Sequence, residues 1–117
     1  MKGHIKPLFM LLLTALVTAC AVEPRKKVPG NFITGQAKFH EVCANCHGPD
    51  AMGGNKAPKL IQKKFISLNY SDQSIARIII NGSSSGAMPS QKRKVSEKEI
   101  NEIIKYLRYS QKEAGLT

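Results

Sequence analysis

Cys43, Cys46 and His47 are spaced i, i+3 and i+4, so on one helical turn all three side chains project to the same side. In that geometry two thiols can join the two vinyl groups of a haem while the imidazole reaches its iron. Cys-x-x-Cys-His is the c-type haem attachment signal. Two other chemistries use related strings. A thioredoxin-like dithiol needs a βαβ context, and no segment here alternates like a strand. A zinc site could add His40 to the three, but four ligands crowded onto one short helical stretch would strain a tetrahedron.

A haem iron held by His47 needs a second axial ligand or an open position. Beyond residue 20 the methionines are Met52 and Met88. Met52 follows His47 too closely to cross easily to the opposite face of a macrocycle. Met88 lies in Gly86-Ala87-Met88-Pro89, with ample intervening chain to wrap around one, and Pro89 stiffens the loop that aims the sulfur. A lone methionine more often fills a core than binds a metal. Met88 is the candidate because the iron needs a partner.

Three helices can position these groups. The first is expected to begin near Thr34 as N-cap and to run from Gly35 into the cysteine motif, with Phe39, Val42, Cys43 and Cys46 on one face. The second has Ser71 as N-cap and Ile75, Ile78 and Ile79 as its apolar stripe, and Asn81-Gly82 closes it. In the third, Ser96 and Glu99 form a capping box, Val95 can staple against Ile100, and Ile100, Ile103, Ile104 and Leu107 give the i, i+3, i+4, i+7 pattern. Gly48, Pro49, Gly53, Gly54 and Pro58 mark a loop-rich stretch between the first two helices. The pattern predicts an all-α fold of three main helices and long loops.

The N-terminal stretch reads differently. Lys2, His4 and Lys6 precede a nearly uninterrupted apolar run from Leu8 to Val17, too short for a permanent membrane helix but suited to a secretory signal peptide. Val17-Thr18-Ala19-Cys20 resembles the bacterial lipobox, in which a cysteine is lipidated and becomes the mature N-terminus. Three cysteines in an exported chain leave one over once Cys43 and Cys46 serve one motif, and lipidation of Cys20 accounts for it. Simple cleavage nearby is the plainer alternative. The expected organisation is therefore a signal peptide over residues 1–19, a lipidated tether without fixed structure over 20–31, and a folded domain over 32–117. So short a domain can bury only a modest core, and an apolar macrocycle at its centre would supply burial that the chain lacks.

These ordered features resemble a class I cytochrome c over roughly Thr34 to Leu107. The family's first helix carries a glycine and, four residues on, an aromatic, matched by Gly35 and Phe39. Its last helix packs across that glycine with an aromatic–aliphatic pair, matched by Tyr106-Leu107. The resemblance implies the small cytochrome c fold around one covalent haem c. It further implies that Pro58, in Ala57-Pro58-Lys59-Leu60, offers its carbonyl to the other nitrogen of His47, which would fix the tautomer. The Ile80-Asn81-Gly82 turn and the Met88-Pro89 pair also sit where the resemblance expects them. It does not identify the residues that meet the haem propionates; for Asn69 and Tyr70 an ordinary surface or packing role is preferred.

With His47 and Met88 filling both axial positions, the iron would have no site for a substrate. The expected function is single-electron transfer between membrane or periplasmic redox proteins, without enzymatic activity of its own. Two alternatives are a haem-based ligand sensor, in which Met88 is displaced, and a cytochrome subunit of a larger oxidoreductase complex. The 18 basic and 8 acidic side chains give a formal charge of +10. Lys56, Lys59, Lys63, Lys64 and Lys92-Arg93-Lys94 flank the expected haem loops and would steer redox partners with acidic docking surfaces, although part of this charge is simply solvated surface. Arg25, Lys26 and Lys27 would attract anionic lipid beside the anchor. With few aromatics to stack on bases, an exported haem protein is not expected to bind nucleic acid. A monomer is expected, lipid-anchored on the outer face of the cell membrane or the periplasmic leaflet of an outer membrane.

Overall fold

The computed structural model describes Gly3 and residues 20–117; apart from Gly3, the expected signal peptide lies outside the described residues. The described chain folds into helix α1 (Gly30–Val42), a short continuation α2 (Ala44–His47), α3 (Asp72–Asn81) and α4 (Glu97–Glu113), with short 3-10 turns at Pro49–Ala51 and Lys63–Phe65. There is no strand among the described residues. The architecture is all-α, three long helices joined by loops, as the periodicity predicts.

The signals for α3 and α4 are realised in atoms. The Ser71 hydroxyl accepts from the Ser74 amide at 3.1 Å. At α4 the capping box closes from both sides: the Glu99 amide donates to Ser96 Oγ at 3.2 Å and the Ser96 amide to Glu99 Oε2 at 2.7 Å. Each bond satisfies an amide that the first helical turn leaves without a partner.

Helix α1 starts earlier than its local chemistry predicts. Pro29, not Thr34, stands at the N-cap, without a side-chain cap, and its carbonyl accepts from the Phe32 amide at 2.9 Å. Tertiary contacts explain the extra turn. Phe32 stacks on Tyr109 of α4 with ring centroids 4.3 Å apart, and Val28 packs against the core. Packing of this kind outweighs a weak cap preference.

The expectation of a tether without fixed structure is overturned for much of its length. Val22 and Val28 pack against the core cluster. The amides of Arg25 and Lys26 donate to the Asp50 carboxylate at 3.0 and 3.4 Å, and the Lys26 carbonyl accepts from Gln36 Nε2 at 2.7 Å. Polar composition hid this docking because the partners are backbone groups, which every residue carries.

Helices α1 and α4 form the heart of the fold. A Cβ on Gly35 would lie 2.0 Å from the Glu102 carbonyl oxygen, so only glycine lets the two backbones approach this closely. Phe39 and Tyr106, both essentially inaccessible to solvent, meet beside that crossing with ring centroids 5.6 Å apart. Burial, with the nearby Asp50 charge, pushes the Tyr106 phenol up to about 12. Ile100, Ile103, Ile104 and Leu107 complete the core from α4, with Ile79 from α3 and Ala51 and Ile61 from the connecting loop.

Candidate haem site

The three residues of the motif lie where α1 passes into α2, Cys43 at the junction and Cys46 and His47 within the short second helix. Cys43 bends the helix slightly (φ −105°, ψ −33°) between α1 and α2. The helical ladder ends on one side of the bend and resumes on the other: the Cys43 amide donates to the Phe39 carbonyl at 2.7 Å, the Cys43 carbonyl accepts from the amides of Cys46 at 3.2 Å and His47 at 2.9 Å, and Gly48 donates to Ala44 at 2.8 Å. Cys43 and Cys46 are half-buried free thiols, and His47 is buried.

The loop after His47 folds back on this turn. The Gly53 amide donates to the His47 carbonyl at 2.8 Å. Gly48 has φ +79°, and a Cβ there would lie 2.0 Å from the Gly53 carbonyl oxygen, so both its conformation and its surroundings require glycine. The returning chain brings the Pro58 carbonyl oxygen to 2.8 Å from His47 Nδ1. A carbonyl can only accept, so Nδ1 carries the hydrogen and Nε2 keeps its lone pair for a metal.

The competing chemistries fit less well. Burial, reinforced by the neighbouring Cys46, pushes the Cys43 thiol up to about 12, whereas a redox dithiol works through a lowered thiol pKa. His40 does not join the three as a fourth ligand. Its Nδ1 meets the Gln36 carbonyl at 2.7 Å and its Nε2 accepts from the Asp50 amide at 3.0 Å. Among the described residues no group of three His, Cys, Asp or Glu side chains is arranged to hold a metal ion.

Haem suits this donor set better. Two thiols and one imidazole with a free Nε2 share a turn, and the fold leaves Val42, Leu60, Ile75 and Met88 packed against the core yet only partly buried. Such apolar side chains are what a flat apolar macrocycle would cover.

Met88 comes from a separate loop, beyond α3. That loop is tied to itself: the Ser83 amide donates to the Met88 carbonyl at 2.9 Å, and the Met88 amide to Ser83 Oγ at 3.0 Å. The Gln91 amide then joins the returning chain to the Ile79 carbonyl of α3 at 2.7 Å. Met52 is exposed in the loop following His47, and Cys20 is exposed at the start of the N-terminal segment. The structure thus brings Cys43, Cys46, His47 and Pro58 together, while Met88 is presented by its own braced loop.

Asn69 is exposed at the surface and Tyr70 is half-buried, and both make contacts within their own loop. Asn69 Nδ2 donates to the Lys63 carbonyl at 2.9 Å, and the Tyr70 ring meets Phe65 edge-on with centroids 5.5 Å apart.

Two positioning residues escaped the sequence reading. Arg108 donates to the Phe65 carbonyl at 2.7 Å, to the Tyr70 carbonyl, and through Nε to Asp72 at 2.8 Å. Gln111 is 1% exposed; its Nε2 donates to the carbonyls of Leu60 and Phe65 at 3.2 and 3.1 Å. Together they fasten the loop between Pro58 and α3 to α4. The signal was present, because Gln111 continues the buried stripe four residues past Leu107, and a polar side chain there requires polar partners.

The family model described as cytochrome C oxidase, cbb3-type, subunit III matches residues 30–107. No curated protein and no solved structure matches the chain.

Proposed function

Since the chain belongs to the cytochrome C oxidase, cbb3-type, subunit III family of c-type cytochrome domains, we propose that it is a monohaem electron carrier working at a membrane surface. Domains of this kind bind haem c for electron transfer. In this reading Cys43 and Cys46 would hold one haem through thioether bonds, and His47, through Nε2, and Met88 would bind its iron. The chain is exported, cleaved before Cys20 and anchored by lipid on that residue.

When bound, the haem supplies a one-electron ferrous–ferric couple. The chain's part is to keep its ligands still. The Pro58 carbonyl holds the imidazole of His47 through Nδ1, so the ring keeps one orientation and stays a good donor. Ser83 braces both backbone groups of Met88. Ligands that do not move between oxidation states suit transfer rather than catalysis, and we assign the chain no reaction of its own.

The observation carrying this reading is the His47–Pro58 hydrogen bond at 2.8 Å, on the same turn as two free thiols. Met88 provides the test. The oxidised protein should show the weak far-red band of sulfur-to-iron charge transfer, and the reduced protein should not bind carbon monoxide at neutral pH. Met88→Ala should abolish the band, admit carbon monoxide and lower the reduction potential, because thioether sulfur favours reduced iron. Met52→Leu should change none of these. Ready binding of carbon monoxide by the unmodified protein would remove Met88 from the iron and favour a ligand sensor.

A second reading rests on the family description, which names a subunit of an oxidase. In that case the chain would relay electrons within a complex, and purification of the intact chain from membranes in mild detergent would bring oxidase components with it in fixed proportion. A free carrier would come away alone. In both settings the partner surface should be acidic, complementary to the exposed Lys56, Lys59, Lys63, Lys64 and Lys92–Lys94.

A further inference from the structure

Residues 22–28 are built into the domain, although their composition is that of a free linker. The chain hangs on Asp50, which is 4% exposed and stands in the loop that folds back on His47. Its carboxylate accepts the amides of Arg25 and Lys26. Gln36 of α1 grips the next point, the Lys26 carbonyl, at 2.7 Å, and Val22 and Val28 fix the two ends against the core. The attachment uses backbone and valines, so the side chains of Arg25, Lys26 and Lys27 all remain exposed.

The consequence concerns reach. A free tether from Cys20 to Pro29 could extend about 30 Å, whereas the two steps from Cys20 to Val22 span at most about 7 Å. We propose that this strap is a short leash, holding the domain against an anionic lipid surface with Arg25, Lys26 and Lys27 directed at the headgroups. The inference rests on the lipidation of Cys20 proposed above. The domain would then sit in one orientation beside the bilayer instead of swinging on a flexible stem. A membrane is favoured over an acidic protein as the partner of these three cations because the segment bearing them is the one nearest the lipid. Cations of this kind add electrostatic attraction beside a lipid anchor, and that attraction is confined to charges close to the surface.

The test uses the full lipidated holoprotein in vesicles of phosphatidylcholine, with and without phosphatidylglycerol. Trypsin can cut after Arg25, Lys26 and Lys27 only if the strap leaves its seat. Asp50→Ala should speed release of the domain about 10- to 100-fold, the change expected for losing hydrogen bonds to a charged group. The new N-termini should fall at Lys26, Lys27 or Val28. Gln36→Ala should act in the same direction without touching the loop beside His47, which guards against misfolding of the first variant. In parallel, quenching of headgroup-labelled lipid by the haem should be stronger with phosphatidylglycerol, and Arg25, Lys26 and Lys27 changed together to Gln should remove the difference.

Cleavage of the unaltered strap as fast as in Asp50→Ala would overturn the leash. Quenching indifferent to phosphatidylglycerol would overturn the membrane assignment, and a dependence on the three cations appearing only with an acidic redox protein would transfer them to that partner. A strap resistant to trypsin on a chain whose Cys20 carries no lipid would instead defeat the anchoring itself, an outcome that mass spectrometry of residue 20 separates from the other failures.

Discussion

The Nδ1–H of His47 points at the carbonyl oxygen of Pro58, 2.8 Å away. The bond joins the end of the cysteine-bearing helical stretch to a loop residue well along the chain, and it fixes which imidazole nitrogen is free. It also requires the loop to return by a tight path, past Gly48 and Gly53, where a side chain on Gly48 would collide with backbone. The orientation of the His47 ring is therefore set by loop closure as much as by the helix.

Pro58→Ala keeps the accepting carbonyl but gives the unfolded chain more freedom. It should cost about 0.4–1 kcal/mol of stability while leaving the low-spin haem spectrum intact. Denaturant unfolding followed by helical circular dichroism measures the first quantity, and the absorption spectrum the second.

Gln111 serves two loop carbonyls from a fully buried position on α4. Gln111→Ala should cost about 1–3 kcal/mol, the range for leaving buried polar groups without partners. Amide exchange over residues 60–70 should accelerate more than exchange in α1. Equal acceleration throughout would mean that Gln111 supports the whole core and not that loop.

Glu99 gives the protein an acid-sensitive contact. The Ser96 amide, and after it the Lys38 ammonium 3.1 Å away, holds the Glu99 carboxyl below the ordinary glutamate range. A folded-state pKa below the unfolded one means that the stabilisation is present above the unfolded value and disappears as pH falls through the folded one. Glu99→Gln should therefore flatten the acid side of a series of melting temperatures against pH. An unchanged acid limb would show that the contact contributes nothing to pH dependence.

Much of this fold was legible because its signals are local. Ser96 and Glu99 announce a capping box through their spacing, and the isoleucines of α4 announce its buried face. Cys43, Cys46 and His47 are adjacent in sequence because one helical turn must carry them. What escaped depends on contacts between distant segments. The strap over residues 22–28 is held through its amides and a carbonyl, which composition does not reveal. The start of α1 moved to Gly30 because Phe32 finds Tyr109, a pairing visible only after α1 and α4 have packed. Arg108 was hidden for the same reason, since its partners are backbone carbonyls of a loop.

Covalent haem on Cys43 and Cys46 is the claim on which the account stands. The purified protein should be denatured, run on a denaturing gel and stained for haem peroxidase activity, with a parallel sample extracted in acidified acetone. Colour should stay on the polypeptide, extraction should remove none of it, and Cys43→Ala and Cys46→Ala should each weaken the attachment. Haem that leaves the unaltered chain under either treatment would contradict the claim.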